Sequence, residues 1–79
     1  MSREMAGSTA GQLEEFWKEL LDLPAVEPDD SFLGLGGNSL SAIMVANRVE
    51  LFFGFRPSLE LLLSSTFREL VEWCDRQQV

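Results

Sequence analysis

The chain has 79 residues, 46% of them hydrophobic, with 6 Lys or Arg against 13 Asp or Glu and a formal net charge of −7. That length holds one small domain, which buries roughly 60% of its extended surface and has little room for a catalytic cleft with walls of its own. The negative balance opposes nucleic-acid backbones and favours solubility and basic protein partners, and the absence of histidine removes Ser-His catalysis, Cys-His catalysis and the commonest zinc ligand together.

Residues 1–8, small and polar without pattern, read as a flexible N-terminal tail ahead of a single domain over 9–79. Thr9 opens a T-x-x-Q capping box closed by Gln12. Leu13, Phe16, Trp17, Leu20 and Leu21 then recur at helical spacing on one face, and Pro24 stops the helix. The next segment, 23–38, is a long connection rich in acids and glycines. Loops of this length are functional or are packed down by their own side chains, and Val26, Phe32 and Leu35 are the candidate pins into the core.

The second helix is predicted from Ser39 to Phe53, with Gly54 as its C-terminal cap and Pro57 beyond. Ala42, Val45, Ala46 and Val49, extended by Phe52, form one apolar stripe; Leu40, Ile43, Met44 and Asn47 form another beside it. One buried face does not need both stripes, so the second is either a further packing face or a partner surface. Ser58 caps a short third helix over Leu59–Leu63, and Thr66 to Glu69 is a second capping box. The last helix carries Phe67, Leu70, Val71 and Cys74 on one face with Trp73 at its edge. The expected fold is all-α: a four-helix bundle with a short third helix and a long loop between helices 1 and 2.

Cys74 is the sole cysteine, which excludes an internal disulfide and a multi-cysteine metal site and fits a reducing cytoplasm. It reads as a buried or half-buried helix residue. No apolar run approaches the ~20 residues of a membrane span, and the N-terminus lacks the order of a signal peptide. No membrane, nucleic-acid or metal partner is expected. Arg48 is expected to pair with a loop carboxylate, Asp29 or Asp30.

The stretch Leu35-Gly36-Gly37-Asn38-Ser39-Leu40 carries the most chemistry. A serine at a helix start, after a glycine turn, offers an exposed primary hydroxyl at a fixed place. The helix N-terminus, with free N–H groups and the positive end of the dipole, accommodates an anion attached there. Gly36 and Gly37 supply backbone freedom and leave space for an approaching enzyme. A plain N-cap at Asn38 or Ser39 is the competing structural reading. A P-loop would need Gly-Lys-Ser/Thr, a dinucleotide fold a third glycine after a strand, and a nucleophile elbow a histidine; none of these is present.

The match extends without gaps from Leu23-Pro24-x-Val26, through Asp29-Asp30-Ser31-Phe32 and the hexapeptide, to Ala42 and Arg48-Val49. In these residues the chain resembles a peptidyl carrier protein (thiolation domain) of the phosphopantetheine-binding acyl carrier protein family. The resemblance implies a four-helix bundle and a 4′-phosphopantetheine arm attached to Ser39, with Gly36, Gly37 and Asn38 forming the attachment loop. It implies a carrier rather than an enzyme, bearing an aminoacyl or acyl thioester for nonribosomal peptide or other natural-product biosynthesis. The implied partners are a phosphopantetheinyl transferase, an adenylating enzyme, and condensation, tailoring or thioesterase enzymes. By resemblance they touch Phe32, Leu40, Ile43, Met44, Leu61 and Leu62. Ser64-Ser65 stand before Thr66 where many relatives have a proline, and the strong acidity is more typical of acyl carrier proteins. An acyl carrier protein of fatty-acid or polyketide synthesis, a helical interaction module without an arm and a small serine hydrolase are the alternatives. With Met1 at the start and no other domain, a free-standing cytoplasmic monomer is expected, with an excised piece of a multidomain synthetase as the rival architecture.

Overall fold

The computed structural model describes residues 8–78. Four helices form among the described residues: α1 (Thr9–Leu21), α2 (Ser39–Phe53), α3 (Leu59–Ser64) and α4 (Phe67–Gln77). Most of the expected tail lies outside the described residues. The cap of α1 is Ser8 rather than Thr9: Ser8 is extended, and its hydroxyl accepts the Gly11 N–H at 3.0 Å. Thr9 is already helical, and a capping residue must precede the first helical one. Asp22 ends α1 in the left-handed conformation, φ 58°. The bounds of α2 are as expected, with Gly54 at φ 91° as its cap. Helix α3 runs one residue beyond expectation, capped by Ser58, and Thr66 and Glu69 form the expected reciprocal box at α4.

Helix α1 packs on α2 and α4, and α3 packs on α2. Leu13 and Trp17 of α1, Ala42, Val45, Ala46 and Val49 of α2, Leu62 of α3, and Leu70 and Cys74 of α4 are fully buried. Trp17 is the hub: its ring centroid lies 5.1 Å from that of Phe32 in the loop and 5.1 Å from that of Phe67 on α4, both edge-on. Phe52 does not extend the buried stripe; it is 57% exposed. Phe53, one full heptad after Ala46, takes the inward place instead and is partly buried against the core.

The long loop is tied down along its length. Val26 and Phe32 enter the core and Leu35 packs against it, as expected. The backbone N–H groups of Phe67 and Arg68 donate to the carbonyls of Asp30 and Pro28, at 2.8 and 2.9 Å. With the Glu69 N–H on the Thr66 hydroxyl and the Thr66 N–H on the Glu69 carboxylate, every donor at the start of α4 is satisfied. A single antiparallel bridge joins Ser31 and Thr66.

The expected pairing of Arg48 with Asp29 or Asp30 does not form. Arg48 meets Glu19 at 2.8 Å, because α1 lies alongside α2 and brings that carboxylate opposite it. The Asp29 carboxylate is engaged by Arg68 at 2.7 Å, and the Asp30 carboxylate accepts the Glu27 N–H at 2.8 Å. The hydrogen bond from Arg48, and then its charge, hold the Glu19 carboxyl below its ordinary value. Glu19 is exposed and Arg48 half-buried, so solvent screens the pair and its contribution to stability is small.

Two predictions follow from this packing. Truncating Phe32 to alanine removes the loop's main anchor and should cost about 3–5 kcal/mol, read as a lower urea midpoint at unchanged slope. Cys74 gives a pH signature. Burial, and secondarily the charge of Asp75, pushes its thiol from 9.0 up to about 12. The folded chain keeps this proton where the unfolded chain loses it, so the associated stability is complete below pH 9 and is lost as pH rises towards 12. Wild type should therefore lose stability above pH 9 more steeply than Cys74→Ala, and parallel profiles would contradict the assignment.

Candidate functional site

The approach to α2 is a tight turn built on residues 31–37. The Ser31 hydroxyl accepts the Gly34 N–H at 2.9 Å, and the Leu35, Gly36 and Gly37 N–H groups donate to the carbonyls of Ser31, Leu33 and Phe32. Gly36 and Gly37 have different tasks. Gly36 sits at φ +96° with nothing within 4 Å of where a Cβ would be, so it is needed for backbone conformation. Gly37 is buried, and a Cβ there would overlap the Phe32 ring and lie 2.8 Å from the Phe32 carbonyl. The expectation that both glycines clear space for an enzyme is corrected at Gly37: the room it leaves is filled by Phe32.

Asn38 is the N-cap of α2, which resolves one of the open readings. Its side-chain oxygen accepts the Ser41 N–H at 3.0 Å, and the Ser41 hydroxyl accepts the Asn38 N–H at 2.8 Å. Ser39 is the first helical residue and is exposed. No hydrogen bond engages its hydroxyl among the described residues, and the Ser39 and Leu40 N–H groups have no protein acceptor there. No acidic residue lies in the first turn of α2. The site therefore combines a free primary hydroxyl, two free backbone donors and the positive helix end. These are the features that suit a serine-linked phosphodiester. No base contacts the hydroxyl among the described residues.

The six expected partner contacts divide. Leu40, Ile43 and Met44 are 67%, 38% and 42% exposed on the outward side of α2, starting beside Ser39. Leu61 is half-buried. Phe32 and Leu62 are fully buried and are corrected: each is an anchor of its own segment in the core and presents nothing to a partner. Sequence reasoning missed Leu33, which is 56% exposed in the turn before Ser39. Leu33 follows the core pin Phe32 in a segment without periodicity, so no repeat in the sequence marks its outward position. An open apolar groove of about 370 Å³ lined by Ala10, Pro28, Phe67, Arg68, Val71 and Glu72 includes none of the candidate residues.

A family profile described as "phosphopantetheine attachment site" matches residues 11–74. Tyrocidine synthase 3 of Brevibacillus parabrevis is 35% identical over 63 residues, 78% of this chain and 1% of that protein. Nonribosomal peptide synthetase 8 of Aspergillus fumigatus is 35% identical over 69 residues, 85% of this chain and 1% of that protein. The chain thus spans about a hundredth of the length of the curated relatives it matches. Among solved structures, an active-site mutant peptidyl carrier protein superposes with a TM-score of 0.82 at 24% identity, over 90% of this chain and 80% of that one, and shares the fold. BlmI, a type II acyl carrier protein from Streptomyces verticillus involved in bleomycin biosynthesis, superposes with a TM-score of 0.81 at 29% identity, over 99% of this chain and 93% of that one. With its all-helical fold and a family match across most of its length, the chain belongs to the phosphopantetheine attachment site family, whose members carry a covalent 4′-phosphopantetheine arm.

Proposed function

We propose that this protein is a peptidyl carrier whose arm is attached to Ser39, and that it presents an aminoacyl or acyl group to the enzymes of nonribosomal peptide synthesis. One observation carries the choice of Ser39: the cap of α2 is made by Asn38 and Ser41, so the Ser39 hydroxyl is exposed and has no structural task. The relatives that are synthetases of nonribosomal peptides support the aminoacyl cargo. When bound, the arm supplies the terminal thiol that holds the cargo as a thioester. The chain's own residues position and expose. Gly36 turns the backbone, Gly37 seats it on Phe32, and Asn38 starts the helix whose free N–H groups face the attached phosphate.

Leu40, Ile43 and Met44, with Leu33 and the edge formed by Leu61, make the surface against which the transferase, the adenylating enzyme and the condensation, tailoring or thioesterase enzymes would rest. Met44 suits a face that meets several enzymes, because its side chain adapts its shape. The chain itself performs no catalysis in this reading. No helix among the described residues is long and apolar enough to cross a membrane, and a lone buried cysteine is compatible with a cytoplasmic setting.

Incubation with coenzyme A and a broad-specificity phosphopantetheinyl transferase should add one phosphopantetheine to the intact mass. Ser39→Ala should block the addition while leaving stability within about 0.5 kcal/mol of wild type, as for a surface residue without a capping role. An unmodified wild type would sink the carrier reading. Met44→Asp should slow the reactions of partner enzymes while the helical circular-dichroism signal is retained; global unfolding would instead mark Met44 as part of the core.

A further inference from the structure

The turn before Ser39 and the start of α4 meet at one residue. Ser31 faces Thr66 in the antiparallel bridge, beside the hydrogen bond from the Phe67 N–H to the Asp30 carbonyl at 2.8 Å. Its other polar groups serve the turn. The Ser31 hydroxyl accepts the Gly34 N–H at 2.9 Å, and the Ser31 carbonyl accepts the Leu35 N–H at 3.1 Å. The next donors, the Gly36 and Gly37 N–H groups, close on the carbonyls of Leu33 and Phe32. Ser31 is thus the last residue held by α4 and the first to hold the turn.

Serine hydroxyls often close turns locally. Here the hydroxyl also excludes a side chain from the backbone opposite it. A Cβ at Gly34 would stand 2.6 Å from the Ser31 hydroxyl oxygen and no nearer than 3.5 Å to any other atom outside its chain neighbours. Gly34 does not have a positive φ, so the hydroxyl alone requires glycine there. Phe32 fixes the two ends of the turn, at residues 32 and 37. Between them Leu33, Gly34 and Gly36 are exposed and Leu35 is half-buried. Polar ties rather than burial therefore set the shape of that arc.

We propose that Ser31 is a positioning residue for arm attachment: its hydroxyl, on backbone that α4 holds in place, keeps residues 33–36 in the one turn that presents Ser39. That the turn serves attachment rests on the carrier reading; that the hydroxyl shapes the turn does not. Without the hydroxyl the turn exchanges with open forms. A modifying enzyme that accepts only the closed form then meets less of it. The apparent affinity falls with the competent fraction, and the chemical step is unchanged.

Arm attachment, followed by intact mass over a range of carrier concentrations with coenzyme A and a broad-specificity phosphopantetheinyl transferase, tests this. Ser31→Ala should raise KM for the carrier about threefold to tenfold, the scale of one lost hydrogen bond, at unchanged kcat. Ser31→Thr, which keeps the hydroxyl, should restore the wild-type KM. Gly34→Ala should raise KM through its clash with the hydroxyl, yet add nothing in a Ser31→Ala background. In the full chain without the arm, Ser31→Ala should quicken amide hydrogen exchange at Gly34, Leu35 and Gly36 and leave Phe67 and Arg68 protected. A serine with only a stabilising role would lower the urea midpoint slightly and leave nearly every molecule folded, so KM would not move. Unchanged KM, equal losses in Ser31→Ala and Ser31→Thr, additive effects of the Ser31 and Gly34 substitutions, or unaltered exchange in the turn would overturn the proposal. If the wild type takes no arm, the carrier reading fails, and the exchange rates decide the role of the hydroxyl by themselves.

Discussion

The position of Ser39 depends on one side chain it does not touch. Phe32 leaves the loop, reaches the Trp17 ring at 5.1 Å and lies under Gly37. Trp17 in turn meets Phe67 at the start of α4, so a residue two places before the serine is seated on a core shared by α1, the loop and α4. The indole N–H of Trp17 has no acceptor among the described residues, a cost of about 1–3 kcal/mol that burial of three aromatic rings offsets. Glycine at position 37 follows from this arrangement, because any side chain there would compete with Phe32 for the same space.

The two longer helices downstream of the loop begin alike in sequence and differently in chemistry. Each opens with a reciprocal capping box, Asn38 with Ser41 and Thr66 with Glu69. At α4 the remaining donors are taken by the carbonyls of Pro28 and Asp30, and that helix start is closed. At α2 no loop returns to cover the end, so the Ser39 and Leu40 N–H groups stay open to solvent. A hydroxyl group in that place is available for chemistry because the backbone needs nothing from it.

Much of this was legible in the sequence, and the exceptions share a cause. Helical periodicity and capping residues place α2 at its observed bounds, α3 to within a residue and the start of α4 at its cap, because those signals act over three or four positions. Arg48 was assigned the wrong partner because the choice between Glu19 and the loop acids depends on how α1 and the loop pack, which local pattern does not encode. Phe32 carries two expectations, a core pin from its residue type and a partner contact from the resemblance, and burial bears out the first; Leu62 is buried against expectation because a helix of 6 residues has too little repeat to define a face. The site itself was legible as a motif, whereas the separate duties of Gly36 and Gly37 became visible only with Phe32 in place.

The docking of the loop on α4 also sets an order of events. The carbonyls of Pro28 and Asp30 and the Asp29 carboxylate all wait for residues 67 and 68, so the loop lacks its polar ties until the last helix forms. Until residues 67 and 68 take up their helical positions, the segment before Ser39 is held to the core by Val26 and Phe32, with Leu35 packed against it. The shape of the loop before Ser39 is therefore conditional on the folding of a helix some thirty residues further along the chain.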